Sequence, residues 1–238
     1  MSAAHAAPDV AQSTQGHAPE YQGPLLNLAA LDATPSSSEP YQHVLVGDML
    51  FPGAAEALAA AYPDITVNGY ITVEPEALSP LFKQLDAELK GPELTEALSR
   101  KFGRDMHAYP RLVTMHRWSH GKEGHIHTDS ERKVMTMLLY LNESWDKTQG
   151  GSLRVLYDGK NFEPYALEVP PLNGTVFAFT RSDNSWHGHR PFVGERRVIQ
   201  VTWLRDADAL ERKSSNNSFH QKLKRLFTGK KAKPEPMM

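Results

Sequence analysis

The sequence predicts a mainly β domain, an antiparallel sandwich or jelly roll with supporting N-terminal helices. After Tyr109 the hydrophobic period shifts towards two, giving β-rich segments at 111–118, 133–142, 152–157, 175–179 and 196–204. No helical pattern separates them, whereas a parallel α/β sheet would need a crossover helix between strands. Gly150-Gly151 and Asn173-Gly174 punctuate the run as turns.

The elements before Tyr109 read as the supporting layer. Residues 1–40 are rich in Ala, Ser, Gln and Pro and end in Thr34-Pro35-Ser36-Ser37-Ser38-Glu39-Pro40, a composition expected to form a flexible arm. Val44-Leu45-Val46 reads as a short strand, and 52–62 as an Ala-rich helix. Ser79 is a suitable N-cap with Pro80 at the first helical position, Phe82, Leu85 and Leu89 share a face, and Gly91 ends the helix. A further helix from Pro92 spaces Leu94, Leu98 and Phe102 by four and stops at Gly103. The expected division is an arm over 1–40, a catalytic domain over 41–205 with its β core at about 109–205, and a polar linker, basic amphipathic helix and tail over 206–238.

Composition excludes more than it identifies. With no cysteine in 238 residues, disulfides, thiolate zinc sites, cysteine-ligated iron–sulfur clusters and a cysteine nucleophile are impossible. A formal charge of -2 gives no reason to expect a nucleic-acid partner. No stretch approaches the roughly 18 apolar residues of a membrane span, and the first residues lack a signal-like pattern. A cytoplasmic protein is the default expectation.

Any metal must therefore be held by nitrogen and oxygen. Seven of the 11 histidines lie between His107 and His189, which directs attention to His125-Ile126-His127-Thr128-Asp129. Residues two apart on a strand point to the same side, so His127 and Asp129 can offer an imidazole nitrogen and a carboxylate oxygen to one ion. The third ligand is expected from Ser185-Trp186-His187-Gly188-His189, with His187 preferred. Two histidines and a carboxylate on one face leave positions open, as non-haem Fe(II) oxygenases require, whereas a structural zinc site closes its fourth position. His125 and His189 each sit two residues from a proposed ligand and would replace it if the register slipped. An arginine a short loop beyond His187, in Gly194-Glu195-Arg196-Arg197, can form a bidentate pair with a dicarboxylate.

These ordered motifs, with Met137 to Asn142, Gly150 to Leu153 and Gly174 to Phe179, resemble the 2-oxoglutarate/Fe(II) oxygenase superfamily, most closely its prolyl 4-hydroxylase-like branch. The resemblance covers roughly 111–204 and implies a double-stranded β-helix, the jelly-roll variant. It implies Fe(II), 2-oxoglutarate and O2, with succinate and CO2 released as an unidentified substrate, small molecule, sugar or peptide, is hydroxylated. Arg196 fits the family's Gly-x-Arg signature after Gly194. Arg197, six residues before Trp203 and sharing its strand face with Ile199 and Val201, is favoured as the oxoglutarate anchor. Tyr140 matches a family position whose hydroxyl helps hold oxoglutarate.

Two alternatives accompany this reading: a cupin-type metal-binding barrel, and a ligand-binding module without turnover. His125, His127 and Glu131 fit the first cupin motif, but three residues beyond Gly174, where a cupin places its last histidine, stands Phe177. His116, Arg117, Trp118, His120 and Lys122 precede the metal motif, and are placed to shape a pocket mouth for a polar or anionic substrate.

Overall fold

The structure is a computed structural model describing residues 21–214. Two antiparallel sheets face one another. The larger has the order β1-β6-β3-β8-β2, built from β1 (His43–Val46), β2 (Arg111–Ser119), β3 (Lys133–Tyr140), β6 (Val176–Thr180) and β8 (Gly194–Leu204). The smaller has the order β5-β4-β7, from β4 (Leu153–Leu156), β5 (Tyr165–Val169) and β7 (His187–His189). Strands adjacent in sequence are mostly not adjacent in the sheets, the arrangement of a double-stranded β-helix.

Strand alternation divides the core. Leu138, Tyr140, Phe177, Phe179 and Val198 project between the sheets, where they meet Leu153, Val155 and Val169. Met135, Met137, Leu139, Val176, Ala178, Ile199, Val201 and Trp203 project to the other side of the large sheet. There they pack against α2 (Ala54–Ala60), α3 (Pro80–Lys90) and α4 (Pro92–Phe102). The helices form because their apolar residues recur at helical spacing and their ends are punctuated. Ser79 accepts from the Phe82 N–H at 3.3 Å, Pro80 opens α3, and Gly103, at φ 63°, closes α4 in a left-handed conformation.

Three expectations are corrected. Residues 21–40 are not a loose arm: Leu25 and Leu31 are fully buried, and residues Leu28–Ala33 form helix α1. Three leucines carry this segment, Leu26 being the third, each contributing about 1.5–3 kcal/mol on full burial, an effect that average composition conceals. The Glu88 carboxylate on α3 fixes the segment further by accepting the backbone N–H groups of Leu25 and Leu26 at 2.9–3.0 Å. Strands β5 and β7 were not anticipated, since one is largely exposed and the other is only three residues long. Within the supposed polar linker, residues 207–214 are helical, with Ala209 buried against Leu112 and Leu204. The basic amphipathic segment expected at 219–227, and the tail, lie outside the described residues. Among the described residues no helix is long and apolar enough to cross a membrane.

Candidate active site

At one end of the space between the sheets, His127, Asp129 and His187 present ligand atoms that all lie within 4.8 Å of one another. His127 precedes β3 and pairs as an isolated antiparallel bridge with His187 on β7. Each donates its backbone N–H to the other's carbonyl at 3.0 Å. The close approach depends on glycine: a Cβ on Gly188 would stand 2.8 Å from the Gly124 carbonyl oxygen and 2.9 Å from that of His125.

The two imidazoles are oriented in the same way. His127 Nδ1 lies 2.8 Å from the His125 carbonyl and His187 Nδ1 lies 2.9 Å from the Ser185 carbonyl. Carbonyl oxygens only accept, so each Nδ1 carries the proton and each Nε2 keeps its lone pair for a metal. Burial holds the His187 pKa down to about 4, aided by His127 and opposed by Asp129, so the ring is neutral at pH 7. Asp129 is buried, which by itself would raise its pKa, but the Lys133 charge and hydrogen bonds from Lys133 and Thr136 bring it to about 2. Lys133 bonds one carboxylate oxygen, Thr136 donates to the other at 2.6 Å, and Arg181 donates to the Asp129 backbone carbonyl at 3.2 Å. A neutral, neutral and anionic donor set of N,N,O type suits a divalent first-row metal.

Further along the interior is a second polar region. Arg196 is buried, and its Nε donates to the Gly151 carbonyl at 2.9 Å. Its guanidinium lies 5.3 Å from the Tyr140 ring centre, and its charge acts on the Tyr70 phenol, opposing the rise in pKa that burial causes. Among the described residues no carboxylate lies within salt-bridge distance of it. Several buried polar atoms here also lack a well-formed hydrogen bond: Tyr41 Oη, His116 Nδ1, Tyr140 Oη and Ser152 Oγ. A buried guanidinium without a counter-charge, beside unsatisfied hydroxyls, fits a dianionic ligand that can accept from them.

Arg197 does not face this region. One residue on, it projects to the helical layer, where it pairs with Glu195 at 3.0 Å, donates to the Ala59 carbonyl at 2.8 Å and lies over the Tyr62 ring. The expectation that Arg197 shares a face with Ile199, Val201 and Trp203 holds, but that face is turned away from the metal ligands. Tyr140 lies inside, as expected. His125 and Glu131, the additional residues of a cupin set, are exposed and stand outside the cluster. His189 is buried behind Gly124, its Nδ1 bonded to the Arg190 carbonyl.

Of the residues expected at a pocket mouth, only His116 projects inward, bonded to Ser119 and stacked on Tyr70 with ring centres 5.0 Å apart. Arg117 pairs outward with Glu195 and Asp64, and His120 bonds Asn68. Sequence reasoning missed Tyr70, Lys133 and Thr136. Lys133 and Thr136 open the strand after Asp129, a discernible signal; Tyr70 sits in an irregular loop with none.

The geometry defines a cluster able to hold a metal ion within a double-stranded β-helix. Residues 113–205 match the family model described as the 2OG-Fe(II) oxygenase superfamily. The fold is similar to that of a prolyl-4-hydroxylase from Pseudomonas putida, with 20% identity over 76% of this chain and 99% of that one, at a TM-score of 0.53. A prolyl 4-hydroxylase structure from Phytophthora capsici is also 20% identical, over 80% of this chain and 68% of that one, at a TM-score of 0.56. No curated protein matches the chain.

Proposed function

We propose that His127, Asp129 and His187 hold Fe(II), that Arg196 anchors the distal carboxylate of 2-oxoglutarate, and that the enzyme hydroxylates an organic substrate with release of succinate and CO2. The observation that supports this most is the pair of imidazoles with Nδ1 tied to backbone carbonyls and Nε2 free beside the Asp129 carboxylate. Bound iron and oxoglutarate supply the oxidising chemistry at an unactivated C–H bond. The chain's own residues position them. Lys133 and Thr136 hold the Asp129 carboxylate in one orientation, which keeps a ligand oxygen aimed at the histidine pair.

Arg196 replaces Arg197 as the anchor in this reading, because a buried cation without a partner is costly until a carboxylate satisfies it. Tyr140 and Tyr70, whose hydroxyls flank that guanidinium, complete the cradle; burial raises both phenol pKa values, so each remains a hydrogen-bond donor. Likeness to prolyl 4-hydroxylases at 20% identity concerns the fold, and the oxidised group is not assigned from it.

Anaerobic addition of Fe(II) and 2-oxoglutarate is expected to produce a weak visible charge-transfer band, and aerobic addition of a suitable substrate to release succinate. Turnover that persists in thorough chelator without iron would sink the scheme. The band without substrate-dependent succinate, over a broad substrate screen, would favour the ligand-binding module.

A further inference from the structure

The helical stretch at 207–214 brings an amine to the metal end of the barrel. Asp206 caps it, its carboxylate accepting the Ala209 N–H at 2.8 Å, and Ala209 and Leu210 seat it on Leu112 and Leu204. One turn on, Lys213 Nζ reaches Thr202 Oγ1 at 3.4 Å. Thr202 is buried on β8, and its register partner on β3 is Thr136, the residue that bonds Asp129. Arg196 stands six residues back on the same face of β8, roughly 20 Å away along the strand. Lys213 therefore approaches the metal ligands at the end of the barrel opposite the oxoglutarate anchor.

Its surroundings are unusual for a lysine. Among the described residues no carboxylate lies within salt-bridge distance of Nζ, and the nearby charges include Lys133. Burial, reinforced by Lys133 and opposed by Asp129, pulls the amine down to about 7. With iron and oxoglutarate bound, Fe(II), Lys133 and Arg196 would together exceed the negative charge of Asp129 and the two oxoglutarate carboxylates by one, before Lys213 is counted. Lys213 adds a further positive charge beside Thr202, the register partner of Thr136, on the face of the sheet that carries the bond to Asp129.

We propose, building on the iron and oxoglutarate reading above, that Lys213 is a specificity residue whose ammonium binds an anionic group, a carboxylate or a phosphate, on the substrate. The substrate is then an acid or a phosphate ester, held by its charge with the bond to be oxidised turned towards the metal. A partly buried ammonium gains about 1.5 kcal/mol from a charge-assisted hydrogen bond, enough for about a tenfold preference over a neutral analogue.

The test uses the full chain with Mn(II) in place of Fe(II) and saturating 2-oxoglutarate, and two probes: 13C-labelled acetate and inorganic phosphate. Paramagnetic relaxation of either probe by the metal reports an anion held close to it, and Mn(II) occupancy is read in each sample from its electron paramagnetic resonance signal. Relaxation of at least one probe is expected in the wild type, about tenfold weaker binding in Lys213→Met, and near wild-type binding in Lys213→Arg, which retains the charge. The probe that responds more strongly tells whether carboxylate or phosphate is preferred. Equal relaxation in Lys213→Met would mean that the anion coordinates the metal directly and would overturn the proposal, as would no relaxation of either probe in a metal-loaded wild type. Failure of the wild type to hold Mn(II) at all would instead overturn the metal reading, and this inference with it.

Discussion

His127 and His187 face each other across an antiparallel bridge, exchanging backbone hydrogen bonds at 3.0 Å with their ring centres 4.4 Å apart. Main-chain bonds hold the bridge, and side-chain bonds to His125 and Ser185 carbonyls aim the rings. The site's frame and its chemistry are therefore separable by mutation.

Alanine at His127, Asp129 or His187 is expected to abolish the Fe(II)–oxoglutarate band and to reduce succinate release by more than about 100-fold, beyond the range for losing a supporting group. For His127→Ala the backbone bridge remains, so the melting temperature of the metal-free protein should stay close to wild type. Turnover within a few fold of wild type in any of the three would remove that residue from the ligand set.

Arginine replacements should divide cleanly. Arg196→Ala is expected to raise the oxoglutarate requirement by about 10–100-fold, the equivalent of one charge-assisted contact. Arg197→Ala should leave that requirement unchanged and cost about 1 kcal/mol of stability through its ion pair with Glu195 and its bond to Ala59. Oxoglutarate titrations and urea unfolding of both variants measure this, and a larger oxoglutarate effect at Arg197 would reinstate it as anchor.

Thr136→Val preserves shape but removes the hydroxyl that donates to Asp129. Metal affinity is expected to fall about 10–100-fold, with normal oxoglutarate dependence at saturating metal. A Co(II) titration followed by its visible spectrum is the measurement, and an unchanged affinity would show that Lys133 alone orients the carboxylate.

Gly188→Ala places a methyl 2.8–2.9 Å from two backbone carbonyl oxygens, those of Gly124 and His125, on the segment that leads into His127. Neither oxygen can swing aside as a flexible side chain would, so the bridge must open. Weaker metal binding together with a lower melting temperature is expected, and a variant that binds metal like the wild type would show that the strands can separate without disturbing the ligands.

Acid should destabilise the metal-free protein through its buried histidines. Burial brings His116 and His187 to about 4 and His189 to about 3, from an ordinary value near 6.5. Between these values the unfolded chain binds more protons than the folded one, so stability falls as pH drops from about 6.5 to 4. Each such histidine contributes a slope of about 1.4 kcal/mol per pH unit. Urea unfolding across this window should show a slope shallower by about one proton in His116→Gln; parallel slopes would contradict the assignment.

Much of this protein was legible in one dimension. The period-two segments, the capped helices and the glycine turns follow from local sterics and burial, and they define the β domain and its helical layer. His127 and Asp129 declare their shared direction through strand alternation, and His187 was reachable through its resemblance to a family pattern. Which of two adjacent arginines faces inward was not decided locally, because both suit a strand and both are cationic. The sheet's placement between the helices and the small sheet decides it, sending Arg197 to Tyr62 and Arg196 to Tyr140. The sequence likewise hid the anchoring of Leu25 and Leu31 and the approach of Lys213 to Thr202. Each depends on contacts between segments remote in the chain, which local periodicity does not encode and only tertiary packing creates.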